Sequence, residues 1–253
     1  MTTRGRLADG IPARISLRLR SDRNVRRLFG LHPPADLILS LVPDGRNAVD
    51  VGANRGVYSS WIARRAARVD VFEPQPDLAK YVSDARLPRL RVHEIALSDH
   101  AGSAQMLVPA IDDGLARIAS SDNEDEVQAQ ADLGAITKFS VQTRTLDSFR
   151  LLDVGFLKID VEGHEMAVLR GAEETIATSR PIVFIESEAR HARGAPANVI
   201  ELMQDHHGYP RAAFVRRWKT VDLEGFDLQR DQLAILPDYG NPDYVSNFVF
   251  WPR

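Results

Sequence analysis

The chain of 253 residues contains no cysteine. Its absence excludes disulfides, thiolate nucleophiles and zinc sites built on thiolates, and it agrees with a reducing compartment. The sequence also lacks an apolar run of bilayer-spanning length and a charged-then-apolar start, so we expect neither a transmembrane helix nor a secretory peptide. The expected location is therefore the cytoplasm.

Aromatic residues are missing where positive charge is concentrated. Residues 1–27 hold eight arginines against Asp9 and Asp22, although the whole chain carries a net charge of −3. A basic arm suits an anionic partner, but no aromatic side chains interleave the arginines to stack on bases. We therefore expect no nucleic-acid partner, and we interpret residues 1–45 as a basic helical arm that packs on the domain or on a second subunit of a homodimer.

Apolar residues make up 44% of the chain, which suits one sizeable globular domain over residues 46–253. Short apolar runs alternate with amphipathic segments along this domain. Such alternation predicts a doubly wound, mostly parallel α/β sheet covered by helices on both faces. The predicted strands are 47–52, 69–72, 90–95, 154–159 and 182–185, and the predicted helices are 57–67, 76–85, 164–177 and 196–206.

Two segments break the alternation. The extended pieces "AQMLV" and "FSVQT" flank an acidic insert over residues 109–137, which we interpret as a lid over a binding site. Near the C-terminus, "AAFVRRW" and "SNFVFW" predict a closing pair of strands. Together these pieces predict a seven-stranded sheet.

The stretch "VDVGANRGVYSSW" predicts a ligand-binding turn between the first strand and the next helix. Gly52 and Gly56 permit a tight turn and close approach of a ligand, and the first N–H groups of the helix favour an anionic group. Glu73 follows the second strand, where a carboxylate can bind both hydroxyls of a ribose. These residues indicate a nucleoside cofactor, and NAD is disfavoured because Asn54 replaces the middle glycine of a dinucleotide fingerprint.

Several motifs resemble one family, in the expected order and spacing. They are "VDVGANRGVYS", "FEPQP", "IALSD", "TRTLDSF" and "FLKIDVEGHEMAVLRGA", which look like the FkbM-type S-adenosylmethionine-dependent methyltransferases over residues 47–188. The resemblance implies a Rossmann-like class I methyltransferase sheet with S-adenosylmethionine as cofactor. It also implies O-methylation of a hydroxyl on a saccharide, oligosaccharide or related natural product.

The resemblance further implies a set of cofactor-binding residues. One group would hold the methionine end of the cofactor, Glu73 would bind its ribose, and a third group would lie beside the adenine. The methionine group is Asp50, Gly52, Asn54, Gly56 and Tyr58, and the adenine group is Glu94, Ala96 and Asp99.

The stretch "FLKIDVEGHE" predicts the catalytic site, because it runs from a buried strand into Asp160, Glu162 and His164. Ligands of open α/β sheets bind outside the carboxyl ends of the strands, where these side chains would fall. Methylation of a hydroxyl needs a base, a Lewis acid or both, and His164 titrates near neutrality. The alternative for His164 is a structural role at the start of a helix.

A magnesium ion is the second means of activating a hydroxyl. The fifth strand ends in Glu186 and Glu188, and these carboxylates would converge with Asp160 from the neighbouring strand. Three carboxylates form a plausible Mg²⁺ site. The alternative is that Glu188 is only a solvated loop residue.

Two other functions remain open. An NAD-dependent oxidoreductase would use the same type of sheet, and a non-catalytic nucleoside-binding protein would keep the cofactor residues without turnover. Binding of S-adenosylhomocysteine or NAD, followed by a turnover assay, separates these functions from a methyltransferase.

Overall fold

A computed structural model describes residues 35–109, 116–118, 136–236, 238 and 240–253. Most of the basic arm and most of the acidic insert lie outside these residues. The predictions of a partner-binding arm over 1–45 and of a lid over 109–137 therefore stay predictions.

The strands and helices follow the predicted alternation. The strands are β1 (Asn47–Val51), β2 (Val69–Phe72), β3 (Leu90–His93), β4 (Ala96–Leu97), β5 (Gly102–Pro109), β6 (Arg117–Ile118), β7 (Ile136–Arg144), β8 (Val154–Ile159), β9 (Ile182–Glu186), β10 (Arg211–Arg216), β11 (Lys219–Asp222) and β12 (Asn247–Trp251). The helices are α1 (Ala35–Leu41), α2 (Val57–Ile62), α3 (Pro76–Asp84), α4 (Glu165–Arg170), α5 (Glu173–Ser179) and α6 (Ala197–Glu201), and α6 continues as a π-helical turn over Leu202–His206.

The central sheet has eight strands in the order β11-β10-β12-β9-β8-β1-β2-β3. Its core strands β3, β2, β1, β8 and β9 pair in parallel, whereas β12, β10 and β11 add antiparallel pairs at one end. This arrangement confirms the doubly wound, mostly parallel fold. The winding reverses between β1 and β8, so a crevice opens at the carboxyl ends of these two strands.

The central strands have apolar sequences because both faces of the sheet are buried there. All six residues of β8 are buried, as expected for a parallel strand with helices on both sides. Helix α1 belongs to the same core, because Ala35, Ile38 and Leu41 pack with residues of β1 and β2. The last part of the segment assigned to the arm is thus packed against the domain.

A second sheet lies beside the first. It has four strands in the order β4-β7-β5-β6, and β5 pairs antiparallel with β7 along its length. The extended pieces predicted on each side of the acidic insert are β5 and β7. The insert therefore connects strands of this second sheet.

Two details differ from the sequence prediction. The central sheet has an additional edge strand, β11, whose four residues are all exposed. Because no residue of this strand is buried, its sequence lacks the alternation of apolar residues by which a strand is predicted. The helix predicted over 164–177 is divided into α4 and α5 next to Gly171, where an added Cβ would lie 2.0 Å from the carbonyl oxygen of Ser98. Among the described helices, none is both long and apolar enough to cross a bilayer.

Candidate functional site

A cavity of about 340 Å³ lies at the carboxyl ends of β1, β2, β8 and β9. Residues of the second sheet, including Ala96, Leu97, Met106 and Ile118, form its opposite wall. The volume falls within the range of small-molecule sites. The position is the crevice that the reversal of the sheet predicts.

The glycine turn after β1 brings the backbone against the end of β8. Gly52 has a φ of +72°, and its N–H donates to the carbonyl oxygen of Phe72 at 3.0 Å. A Cβ at Gly52 would lie 1.7 Å from the carbonyl oxygen of Asp160, so a side chain cannot be accommodated without moving backbone. Asn54, also at positive φ, donates its backbone N–H to Glu73 at 2.7 Å.

The Glu73 carboxylate is fixed at the end of β2. Its Oε2 accepts from the N–H of Asn54 and its Oε1 from the N–H of Gln75 at 3.0 Å. Burial raises the pKa of Glu73 to about 7, against the opposing effect of these hydrogen bonds. The side chain lines the cavity with its orientation set by backbone donors.

A buried lysine of β8 occupies the floor of the cavity. The Lys158 Nζ lies 3.0 Å from the Gly52 carbonyl oxygen, 3.3 Å from Asp50 Oδ1 and 3.2 Å from Asp160 Oδ2. It also lies 4.8 Å from the centre of the Tyr58 ring. Burial alone would lower the pKa of Lys158, but the charges of Asp160 and Asp50 raise it above its ordinary value. Lys158 therefore stays charged and ties together the ends of β1 and β8.

Some of the residues assigned to the cofactor line the cavity and others do not. Tyr58 and Ala96 line it, as do Gly52, Asn54 and Glu73. Glu94, Asp99, Asp50 and Gly56 are not among its described lining residues. Asp99 instead contacts His100 at 2.6 Å, and Asp50 accepts from Ser59 Oγ at 2.5 Å beneath the cavity floor.

Asp160 and Glu162 follow β8 and both line the cavity. The Glu162 carboxylate lies 2.7 Å from His191 Nε2, in the loop after β9. Burial alone would lower the pKa of His191, but the carboxylates of Glu162 at 2.7 Å and Glu188 at 3.6 Å raise it to about 9. Near neutral pH His191 is thus an imidazolium that links the loops after β8 and β9.

His164 lies on another side of the same cavity. It directly precedes α4, and its Nε2 is 3.0 Å from Ser98 Oγ, beyond the end of β4. Burial lowers the pKa of His164, so its imidazole is neutral at pH 7. The geometry allows both a structural contact with Ser98 and a role as a base.

Glu186 and Glu188, at the end of β9, have pKa values that their surroundings shift in opposite directions. Glu188 accepts from Arg190 at 2.7 and 2.9 Å and from Tyr244 Oη at 2.5 Å. Burial alone would raise the pKa of Glu188, but the nearby imidazole of His191 and hydrogen bonds with Arg190 and Tyr244 hold it well below its usual range. Burial and the nearby carboxylates of Asp160 and Glu188 raise the pKa of Glu186 well above its usual value.

The compact group of possible metal ligands differs from the predicted magnesium site, which stays a prediction. Asp160, Glu186 and Glu188 were expected to converge, but in the described part of the chain the compact group of possible metal ligands is Glu162, Glu188 and His191, with ligand atoms within 4.8 Å of one another. In this cluster Glu188 is already paired with Arg190 and Glu162 with His191, so we assign no metal to it.

The cationic and phenolic partners of Asp160, Glu162 and Glu188 were not predicted from the sequence. Lys158 was detectable as the one charged residue in the apolar strand "VGFLKI". Arg190, His191 and Tyr244 carried no comparable signal, since their role depends on which loops meet in the folded chain.

The chain matches known proteins along most of its length. A family model described as "Methyltransferase FkbM domain" matches residues 50–211. A methyltransferase FkbM from Methylobacillus flagellatus KT superposes with a TM-score of 0.52 at 15% identity, covering 95% of this chain and 58% of that one. The present chain thus spans less than two thirds of that protein.

Two further structures have lower similarity. A SAM-dependent methyltransferase from Aquifex aeolicus has a TM-score of 0.43 and 11% identity, covering 94% of this chain and 97% of that one. The N-methyltransferase NodS from Bradyrhizobium japonicum WM9, in complex with S-adenosyl-L-homocysteine, has a TM-score of 0.41 and 10% identity, covering 96% and 100%. A comparison with curated proteins finds no match. From the match over residues 50–211, the chain belongs to the FkbM family of S-adenosylmethionine-dependent methyltransferases.

Proposed function

We propose that the chain transfers a methyl group from S-adenosylmethionine to a hydroxyl of a saccharide or related natural-product acceptor. The observation that carries this proposal is the meeting of the Gly52 turn, Glu73 and Asp160 in one cavity at the reversal point of a methyltransferase-family sheet. An NAD-dependent oxidoreductase is disfavoured because Asn54 stands where a dinucleotide site has glycine.

The residues around the cavity suit the parts of the cofactor. The turn at Gly52 and Asn54 leaves room for the methionine end, and Glu73 is oriented to accept from ribose hydroxyls. Ala96 and Leu97 offer an apolar wall for the adenine. When bound, S-adenosylmethionine supplies an electrophilic methyl group on a sulfonium.

The acceptor hydroxyl must lose its proton as the methyl group is transferred. Asp160 is the proposed proton acceptor, because it lines the cavity and its Oδ2 is positioned by Lys158 Nζ at 3.2 Å. His164 is the second candidate, since its neutral imidazole lines the same cavity. Glu162 is the third, although its carboxylate already binds His191.

A turnover assay with methyl-labelled S-adenosylmethionine and a panel of saccharides tests the proposal, with NMR to identify an O-methyl product. Asp160→Asn should abolish most turnover, while His164→Ala should spare it unless the imidazole is the base. Because Glu188 is already paired with Arg190 and Asp160 with Lys158, EDTA should leave turnover unchanged. Cofactor binding without turnover on any hydroxylated acceptor would favour a non-catalytic binding protein.

A homodimer formed through the basic arm and a cytoplasmic location also stay predictions. Residues 1–34 lie outside the described chain, so the contacts of the arm carry no part of this proposal.

A further inference from the structure

A second cavity, of about 320 Å³, adjoins the first. The two share Tyr58 and Glu186 in their walls, so these residues lie between the two cavities. The other walls come from the loop after β9, the tip of the β10–β11 hairpin and the segment before β12. This cavity is not needed to account for cofactor binding.

The cationic side chains in the described wall of the second cavity are already paired. Arg190 binds both carboxylate oxygens of Glu188, and Arg217 binds both oxygens of Asp243 at 2.7 Å. A phosphate or carboxylate entering here would have to compete with these bidentate pairs. The wall therefore disfavours an anionic ligand.

The wall also offers an unused hydrogen-bond acceptor. Asn247 is 8% exposed, and its Oδ1 has no hydrogen-bond partner among the described residues. Its Nδ2 donates to Ser246 Oγ at 2.8 Å, so the other end of the amide is the one left without a partner. Since a buried acceptor left without a donor is costly, the Oδ1 suits a hydroxyl of a ligand.

An exposed aromatic ring lies on the same wall, held by an unusual turn. Arg217 and Trp218 form the two-residue connection between β10 and β11, and both have positive φ, of 48° and 63°. Such turns normally carry glycine or asparagine, because other side chains are strained there. Trp218 is 40% exposed and lines the cavity, while Arg217 anchors the turn to Asp243.

We propose that the second cavity binds the acceptor, and that it selects an uncharged, hydroxyl-bearing ring that packs on Trp218 and donates a hydroxyl hydrogen to Asn247 Oδ1. This inference rests on the proposed methyltransferase function, because it makes the shared wall at Tyr58 and Glu186 the point where the acceptor meets the cofactor. Trp218 and Asn247 are then specificity-determining residues.

Saturation-transfer NMR on the full chain, saturated with S-adenosylhomocysteine, tests the inference. The probes are methyl α-D-glucopyranoside and methyl β-D-galactopyranoside, with glucuronic acid and glucose 6-phosphate as anionic counterparts. The neutral probes should bind, and Trp218→Ala should weaken them about tenfold, while Trp218→Phe retains most of the affinity. Asn247→Ala should weaken them as well.

The matched control is Val221→Ala, on the same hairpin but outside the described wall, which should bind the neutral probes as the natural chain does. Failure of both neutral probes to bind, stronger binding of the anionic probes, or an unchanged affinity in Trp218→Ala would overturn the inference. Calorimetry with S-adenosylhomocysteine separates the two proposals. If it binds and the neutral probes do not, only the acceptor assignment fails; if it does not bind, the proposed function fails.

Discussion

At the level of single residues, Lys158 sets the electrostatics of the candidate site. It is almost fully buried and lies within 3.3 Å of Asp50 and within 3.2 Å of Asp160. Removing its charge leaves these carboxylates uncompensated. Lys158→Met should therefore lower the free energy of unfolding by ~3 to 5 kcal/mol, as measured by chemical denaturation.

The control for this substitution is Lys80→Met. Lys80 pairs with Asp84 at 2.7 Å, but both side chains are largely exposed, so the pair should contribute little. Equal stability of the two variants would show that the contacts of Lys158 are not a buried ion-pair network.

Gly52 and Gly45 form a natural pair for testing the glycine turn. Both have positive φ, but a Cβ at Gly45 meets nothing within 4 Å, whereas a Cβ at Gly52 would lie 1.7 Å from a backbone oxygen. Gly45→Ala should cost about 1 kcal/mol through its φ alone. Gly52→Ala should lower the melting temperature further and weaken S-adenosylhomocysteine binding. Similar losses in both variants would mean that β1 and β8 do not approach so closely.

At the level of elements, the loops after β8 and β9 are joined by the ion pair between Glu162 and His191. The pKa of His191 rises from 6.5 to about 9 on folding, so the protonated form stabilises the folded chain. This contribution is fully present below pH ~6.5 and is lost as the pH rises through about 9. The free energy of unfolding should therefore decline across that window.

His191→Gln should remove most of this decline in denaturant titrations at a series of pH values. The comparison variant is His206→Gln, since His206 is exposed and lies 3.8 Å from Glu173. It should keep the decline of the natural chain. A decline that persists in His191→Gln would contradict the assignment.

The order of the strands and helices could be predicted from the sequence because parallel strands buried on both faces of a sheet appear as short apolar runs. β2 and β8 coincide with the predicted 69–72 and 154–159. β11 was not predicted, since its exposed residues follow no apolar pattern and its position depends on pairing with β10. The interruption between α4 and α5 depends on the approach of Ser98 to Gly171, a tertiary contact that local sequence does not encode.

For the whole molecule, the sheet topology explains which parts of the site were predictable. Carboxylates that end neighbouring parallel strands must meet at one edge, so Asp160 and Glu186 were expected near one another, and both line the cavity that Glu73 also lines. Whether such carboxylates bind a metal depends on the cations brought in by other loops. Arg190 and His191 come from the loop after β9. The sequence alone does not show that this loop places them beside the carboxylates.

Under the two proposals, the adjoining cavities would be separate sites for the methyl donor and the acceptor. The shared position of Tyr58 and Glu186 would bring the two ligands together at the ends of β8 and β9. This assignment of donor and acceptor to the two cavities depends first on which ligand binds in the cavity at Glu73.

Titration calorimetry with S-adenosylhomocysteine and with NAD tests that claim most directly, using the natural chain, Glu73→Ala and the exposed-residue control Glu201→Ala. S-adenosylhomocysteine should bind the natural chain and the control, and Glu73→Ala should lose about tenfold or more in affinity because the ribose hydroxyls lose a charged acceptor. NAD should not bind. Binding of NAD in place of S-adenosylhomocysteine, or an affinity for S-adenosylhomocysteine that Glu73→Ala leaves unchanged, would contradict the account.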